Sequence, residues 1–117
     1  MSIDRKTLRR VDFRDVATGR RLKPVHPGAV LLKEFIEPMG LTRYKVAKAM
    51  NVPQRRVGEI CAGRRAITAD TALRLARLLG MDAQTWLNLQ AQYDLEQADR
   101  AIGKQIITEV EPLAAAA

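Results

Sequence analysis

LTRYKVAKAMNVPQRRVGEICAGRR, residues Leu41 to Arg65, reads as two short helices joined by a tight turn at Met50-Asn51-Val52. Thr42 is a good N-cap for the first of them, because its hydroxyl can accept from a free backbone N–H. Tyr44, Val46, Ala47 and Met50 recur at helical spacing and are predicted to face inward. Ala47 falls where the two helices would cross, and a larger side chain there would push them apart. Asn51 tolerates the left-handed conformation that ends a helix and turns the chain. Pro53 opens the next helix, with Val57, Ile60 and Cys61 on its buried side, and Ala62-Gly63 closes it. A small residue, a residue tolerant of positive φ and then an apolar residue at this spacing form the signature of a helix-turn-helix.

The flanks extend the pattern to five helices. Upstream, Pro27 suits a first helical position, where a proline loses no needed hydrogen bond. Val30, Leu31, Phe35 and Ile36 follow at three- to four-residue spacing, and Pro38 and Gly40 punctuate the end. Downstream, Thr68 caps a fourth helix that carries Ala72, Leu75, Ala76 and Leu79 and stops at Gly80. Asp82 caps a fifth, with Trp86, Leu89 and Tyr93 on one face and no strong breaker before Gly103. The predicted architecture is therefore all-α, with the five helices over residues 24–103. Residues 1–23 form a basic N-terminal arm in which Val11 and Phe13 alternate with charges, a pattern that fits either a short strand or a mobile segment. Residues 104–117, with Pro112 and four alanines, are predicted to be a flexible, frayed tail.

The outer face of the third helix carries the chemistry. With Val57, Ile60 and Cys61 turned inward, Gln54, Arg55, Gly58, Glu59 and Ala62 point out, and Arg56 lies on the flank. Gln pairs bidentately with adenine and Arg with guanine. Glu59 can accept from cytosine N4, or it can pair with Arg55 one turn earlier. Gly58 and Ala62 are small enough to let a helix lie close to base edges, and Gly58 does so at about 1 kcal/mol of helix propensity. Between Arg43 and Arg65 stand seven bases (Arg43, Lys45, Lys48, Arg55, Arg56, Arg64, Arg65) and one acid, Glu59. A surface of this density is most economically explained by contact with phosphates.

Composition narrows the alternatives. The chain has 117 residues, 20 Lys+Arg against 13 Asp+Glu, a net charge of +7 and a pI near 10.2. That length fits one domain with extensions, and the charge favours a polyanionic partner. It is unevenly spread: +5 over residues 1–23, +6 over 24–80 and −4 over 81–117. Ser2 is the only serine and His26 the only histidine, so a Ser-His-Asp triad is not expected, and a Cys61–His26 pair would lack further support. No Cys/His cluster has metal-ligand spacing and no glycine-rich phosphate loop is present, so no metal, cofactor or enzymatic activity is expected. Cys61 has no second thiol within the chain and suits a reducing compartment as a small core residue. There is no apolar signal core or membrane-length run, and the expected location is the cytoplasm.

Residues His26 to Leu95, 70 of the 117, closely resemble the HigA-type antitoxins of the phage-repressor-like (XRE) helix-turn-helix class. The specific pieces are His26-Pro27-Gly28, Ile67-Thr68-Ala69-Asp70-Thr71-Ala72 and Trp86-Leu87-Asn88-Leu89-Gln90. The resemblance implies a phage-repressor-like fold and a homodimer on a palindromic operator in double-stranded DNA. It also implies neutralisation of a small basic RelE-like (HigB-type) ribonuclease toxin and repression of the chain's own operon with that toxin as co-repressor. Carried over by position, the recognition helix is Pro53–Ala62, with Gln54, Arg55 and Glu59 reading bases. Thr42, Arg43, Lys45, Arg56, Arg64 and Arg65 fall on phosphate positions. Asn51 replaces the glycine commoner at the turn. The basic arm, longer than in many relatives, can enter an adjacent groove, touch the toxin, or have no ordered role.

Other conspicuous residues have plainer readings. His26 helps to start the first helix. Trp86, Leu87, Leu89, Tyr93 and Leu95 belong to the core or to the dimer seam, and Asp94, Glu96 and Asp99 are solvated. Two alternatives to the antitoxin stand: an orphan XRE-type repressor with no toxin partner, and a protein-interaction or RNA-binding module. RNA readers stack bases on aromatics, and the basic face offers only Tyr44.

Overall fold

Five helices are present in the computed structural model, which describes residues 24–114. The arm expected over 1–23 lies outside the described residues, as do residues 115–117. Helix α1 starts as an α-helix over Pro27–Val30 and continues as a π-helix over Leu31–Ile36. It is followed by α2 (Arg43–Met50), α3 (Gln54–Cys61), α4 (Ala69–Leu79) and α5 (Ala83–Glu109), and no strand occurs among the described residues. This is the all-α helix-turn-helix architecture that the sequence predicts.

The boundaries are set by the expected local chemistry. Thr42 Oγ1 accepts from the Lys45 N–H at 3.0 Å, and Asp82 Oδ1 accepts from Thr85 N–H at 2.8 Å. Thr68 stands in the same relation to Thr71 N–H, at a longer 3.5 Å. Asn51 ends α2 in the left-handed region at φ 59, and Gly80 ends α4 at φ 88. The π-helical part of α1 departs from the ordinary helix read from the sequence. Leu31 and Ile36 are both buried and are five residues apart. The i→i+5 bonding of a π-helix puts such a pair on one face, where α-helical winding would not.

The core is aliphatic around one tryptophan. Leu31, Val46, Val57, Ile60, Ile67 and Leu75 close around Trp86, which is completely buried and packs on Phe35 with ring centroids 5.7 Å apart. Leu87 and Leu89 are half-buried against this core. Tyr93 lies under His26, edge to face at 4.8 Å. Leu95 is 68% exposed.

Gly28 fixes how α1 meets α3. A Cβ at Gly28 would overlap the carbonyl oxygen of Ile60, so the two backbones touch directly. His26 sets this turn: its Nδ1 accepts from Gly28 N–H at 2.9 Å, and its ring also hydrogen-bonds to the backbone of Arg65. Gln90, buried on α5, accepts from Ile67 N–H at 2.8 Å and donates to Asp94 at 2.9 Å. Those bonds anchor the segment that follows α3.

Two expectations require correction. Tyr44 does not face inward: it is 54% exposed, because α2 docks only through Val46, Ala47 and Met50. The fifth helix also runs past Gly103 to Glu109, into the segment expected to be a frayed tail. A lone glycine costs about 1 kcal/mol against alanine, too little to stop a helix flanked by good helix formers. The stop comes before Pro112, where a proline disfavours helical geometry in the preceding residue.

Gly28→Ala is expected to lower unfolding free energy by about 3 kcal/mol or more, the upper end of overpacking costs, because backbone and not a flexible side chain must move; urea denaturation measures it. Burial holds the His26 imidazole below its ordinary range around 6.5, against the opposing influence of Asp94. The folded chain therefore binds this proton less readily than the unfolded one. Stability is expected to be full above that range and to decline as pH falls from about 7 towards 5. His26→Asn keeps an N-cap acceptor and should remove that part of the decline in pH-dependent unfolding.

Candidate nucleic-acid interface

The first turn of α3 presents Gln54 and Arg55 to solvent, and the Arg55 side chain is 83% exposed. Gly58 follows on the same side, and a Cβ there would meet nothing within 4 Å. Small residues thus leave room between the two long polar side chains and any surface lying along the helix. The base-reading set read from the sequence is brought together: Gln54, Arg55 and Glu59 share the outer face.

Glu59 does not project freely. Arg55 Nε donates to its Oε2 at 2.9 Å and Arg65 Nε donates to its Oε1 at 2.8 Å. Hydrogen bonds from Arg55 and then Arg65 hold its carboxyl below the usual carboxylate range. Of the two roles open to Glu59 in the sequence, the pairing with Arg55 is the one seen in the free chain. Arg65, a phosphate candidate, is held by the same acid.

A second acid braces the helix pair from the other side. Asp70, in the first turn of α4, accepts from Arg74 Nε at 2.7 Å and from Arg56 Nη1 at 3.0 Å. Bonds from Arg74 first and Arg56 second hold its carboxyl low as well. Arg74 also donates to the Met50 carbonyl oxygen at 2.8 Å, closing the C-terminal end of α2. Arg56, read as a phosphate contact, thus links α3 to α4. Sequence reading missed Arg74 and Asp70 as positioning residues. Their four-residue spacing signals a helix pair, but the bond to Met50 crosses 24 positions and leaves no local trace.

Arg43, Lys45, Lys48 and Arg64 are exposed and make no ion pair among the described residues. They surround the outer face of α3 with unneutralised charge. No cluster of His, Cys, Asp or Glu among the described residues could hold a metal ion, and no helix among them is long and apolar enough to cross a membrane. Burial pushes the Cys61 thiol up, out of the range of a reactive thiolate. The arrangement suits recognition of an extended anion.

Comparison with known proteins agrees with this geometry. The helix-turn-helix family model HTH_3 matches residues 32–86. The virulence-associated protein I of Dichelobacter nodosus is 46% identical over 99 residues, covering 84% of this chain and 90% of that protein. The antitoxin HigA-1 of Vibrio cholerae is 41% identical over 73 residues, covering 62% of this chain and 69% of that protein. Among solved structures, the Pseudomonas aeruginosa antitoxin HigA with the higBA promoter superposes with a TM-score of 0.75 at 42% identity, covering 77% of this chain and 98% of that one.

Glu59→Ala should release two guanidinium groups at once. Affinity for a random-sequence duplex is expected to rise, and the slope of log affinity against log salt to steepen by about one to two ions. Fluorescence anisotropy across a salt series checks this; an unchanged slope means that Arg55 and Arg65 already face the phosphates.

Proposed function

The chain belongs to the HigA-type antitoxins of the XRE helix-turn-helix family, and from that premise we propose that it is a sequence-specific DNA-binding antitoxin. In this reading it binds its operator as a homodimer and represses its own operon. It also neutralises a RelE-like ribonuclease toxin, and it works in the cytoplasm as a binding protein and not as an enzyme. The observation that carries the DNA-binding part is the pair Gln54 and Arg55. They are exposed on the first turn of α3, and the exposed charges near them without an ion pair among the described residues, Arg43, Lys45, Lys48 and Arg64, are basic. The toxin part is supported by the antitoxin relatives.

In the complex, Gln54 and Arg55 read base edges, and Glu59 joins them once Arg55 leaves it. Thr42, Arg43, Lys45 and Arg64 contact phosphates, Arg65 follows when released from Glu59, and Arg56 contributes from its place beside Asp70. A single short helix reads too few base pairs for useful specificity, so two copies are needed. Their seam is the outer stripe of α5, where Leu95 is 68% and Ile102 44% exposed. Leu87 borders that seam from the core. Co-expression with the product of the adjacent gene tests the toxin part: rescue of growth supports it, and a harmless neighbour favours an orphan repressor.

Arg55 and Arg64 separate reading from positioning. Arg55→Ala should weaken operator binding by about 1–3 kcal/mol while leaving random duplex nearly unaffected. Arg64 follows the helix and contributes charge alone, so Arg64→Ala should weaken both duplexes by similar factors and lower the salt slope by about one ion. Competition titration of each variant against both duplexes gives the ratio. Equal losses on both for Arg55→Ala would remove it from the base-reading set and leave Gln54 in its place.

A further inference from the structure

We propose that the groove between α2 and the turn into α3 seats one sugar–phosphate unit of the bound duplex, just outside the bases that Gln54 faces. Tyr44 and Lys48 would hold its phosphate. This rests on the DNA-binding reading and adds to it a site beyond the helix that reads bases. The groove is open to solvent, has a volume of about 450 Å³ and is lined by Tyr44, Ala47, Lys48, Asn51, Val52, Pro53 and Gln54.

Its chemistry is two-sided. Val52 and Pro53 give an apolar wall. Tyr44, Lys48 and Asn51 supply a hydroxyl, an ammonium and an amide, and no lining residue is acidic. Tyr44 is 54% exposed on the first turn of α2, so its hydroxyl is open to a ligand in the groove. Lys48 Nζ stands 6.0 Å from the centre of that ring and makes no ion pair among the described residues. A deoxyribose with its phosphate has the matching halves: a C–H face for Val52 and Pro53, and an anion for Lys48 and the Tyr44 hydroxyl. Gln54 lines both the groove and the outer face of α3. A strand whose base edge meets Gln54 therefore carries its backbone across the groove. The continuity with the surrounding basic surface favours this occupant over an apolar peptide, which would leave Lys48 without an anion.

The test uses the full chain and a duplex selected by it from a randomised library, in which each phosphate of one half-site is replaced in turn by an uncharged methylphosphonate. Lys48→Gln and Tyr44→Phe sit on the surface and should leave the melting temperature unchanged. Lys48→Gln is expected to weaken binding roughly tenfold and Tyr44→Phe severalfold, as suits hydrogen bonds to a charged group. One methylphosphonate position, beside the base pair sensitive to Gln54→Ala, should cost the wild-type chain about as much as Lys48→Gln. At that position the Lys48→Gln variant should lose nothing further. Additive losses at every position, or full affinity in both variants, would overturn the groove assignment while leaving DNA binding intact. Failure of the library to yield any preferred duplex would instead remove the DNA-binding reading itself.

Discussion

Helix α1 and helix α3 meet backbone to backbone at Gly28 and Ile60, with no room for a methyl group between them. The presentation of the outer face of α3 follows from that contact. It brings Val57 and Ile60 into the core and leaves Gln54, Arg55 and Gly58 outside. It also puts His26 beside Tyr93, so that the ring can cap α1 and hold the backbone of Arg65. Gln90 then fixes Ile67, one step further along. The end of α3 is thus held at Ile60 and the segment after it at Arg65 and Ile67, and the N-terminal half of the helix is braced through Arg56, Asp70 and Arg74. A recognition helix held at both ends keeps its side chains in one orientation, which readout by two or three of them requires.

The acids near this surface both form surface ion pairs and differ in what their arginine partners also hold. Exposed ion pairs are worth about 0–1 kcal/mol each. The Glu59 pairs with Arg55 and Arg65 are exposed and therefore cheap to exchange for phosphate or base contacts. In the free chain they keep two guanidinium groups ordered and partly neutralised. Asp70 differs by what it holds. Its partner Arg74 also closes the end of α2 at Met50, so Asp70 orients a side chain that ties α4 to α2. One acid tunes the interface and the other maintains it, although both carry two arginines.

Much of the fold was legible because its signals are local. Thr42, Asn51, Thr68, Gly80 and Asp82 mark helix ends through bonds that span three or four residues, and each does so in the structure. The outward placement of Gln54, Arg55 and Glu59 follows from the burial of Val57 and Ile60 alone. The misreadings arise where a distant partner decides. The π-helical stretch of α1 is chosen by the need to bury both Leu31 and Ile36. Tyr44 fits a helical stripe, yet α2 is too short to bury its first turn. Gly103 is a different case, a weak breaker that its helix-forming neighbours outweigh. The bonds from Gln90 to Ile67 and from Arg74 to Met50 cross more than 20 positions and leave no pattern in the sequence.

In the proposed complex, two copies of this chain present two α3 helices to successive major grooves on one side of a duplex. Half-site spacing tests it most directly. The selected palindromic duplex is titrated alongside versions with about 5 bp inserted between the half-sites, half a helical turn, and with about 10 bp, a full turn. The expected result is two chains per duplex on the parent sequence, a loss of two orders of magnitude or so with the half-turn insertion, and partial recovery at most with the full turn. Affinity indifferent to the half-turn insertion, or one chain bound per duplex at saturation, would contradict it.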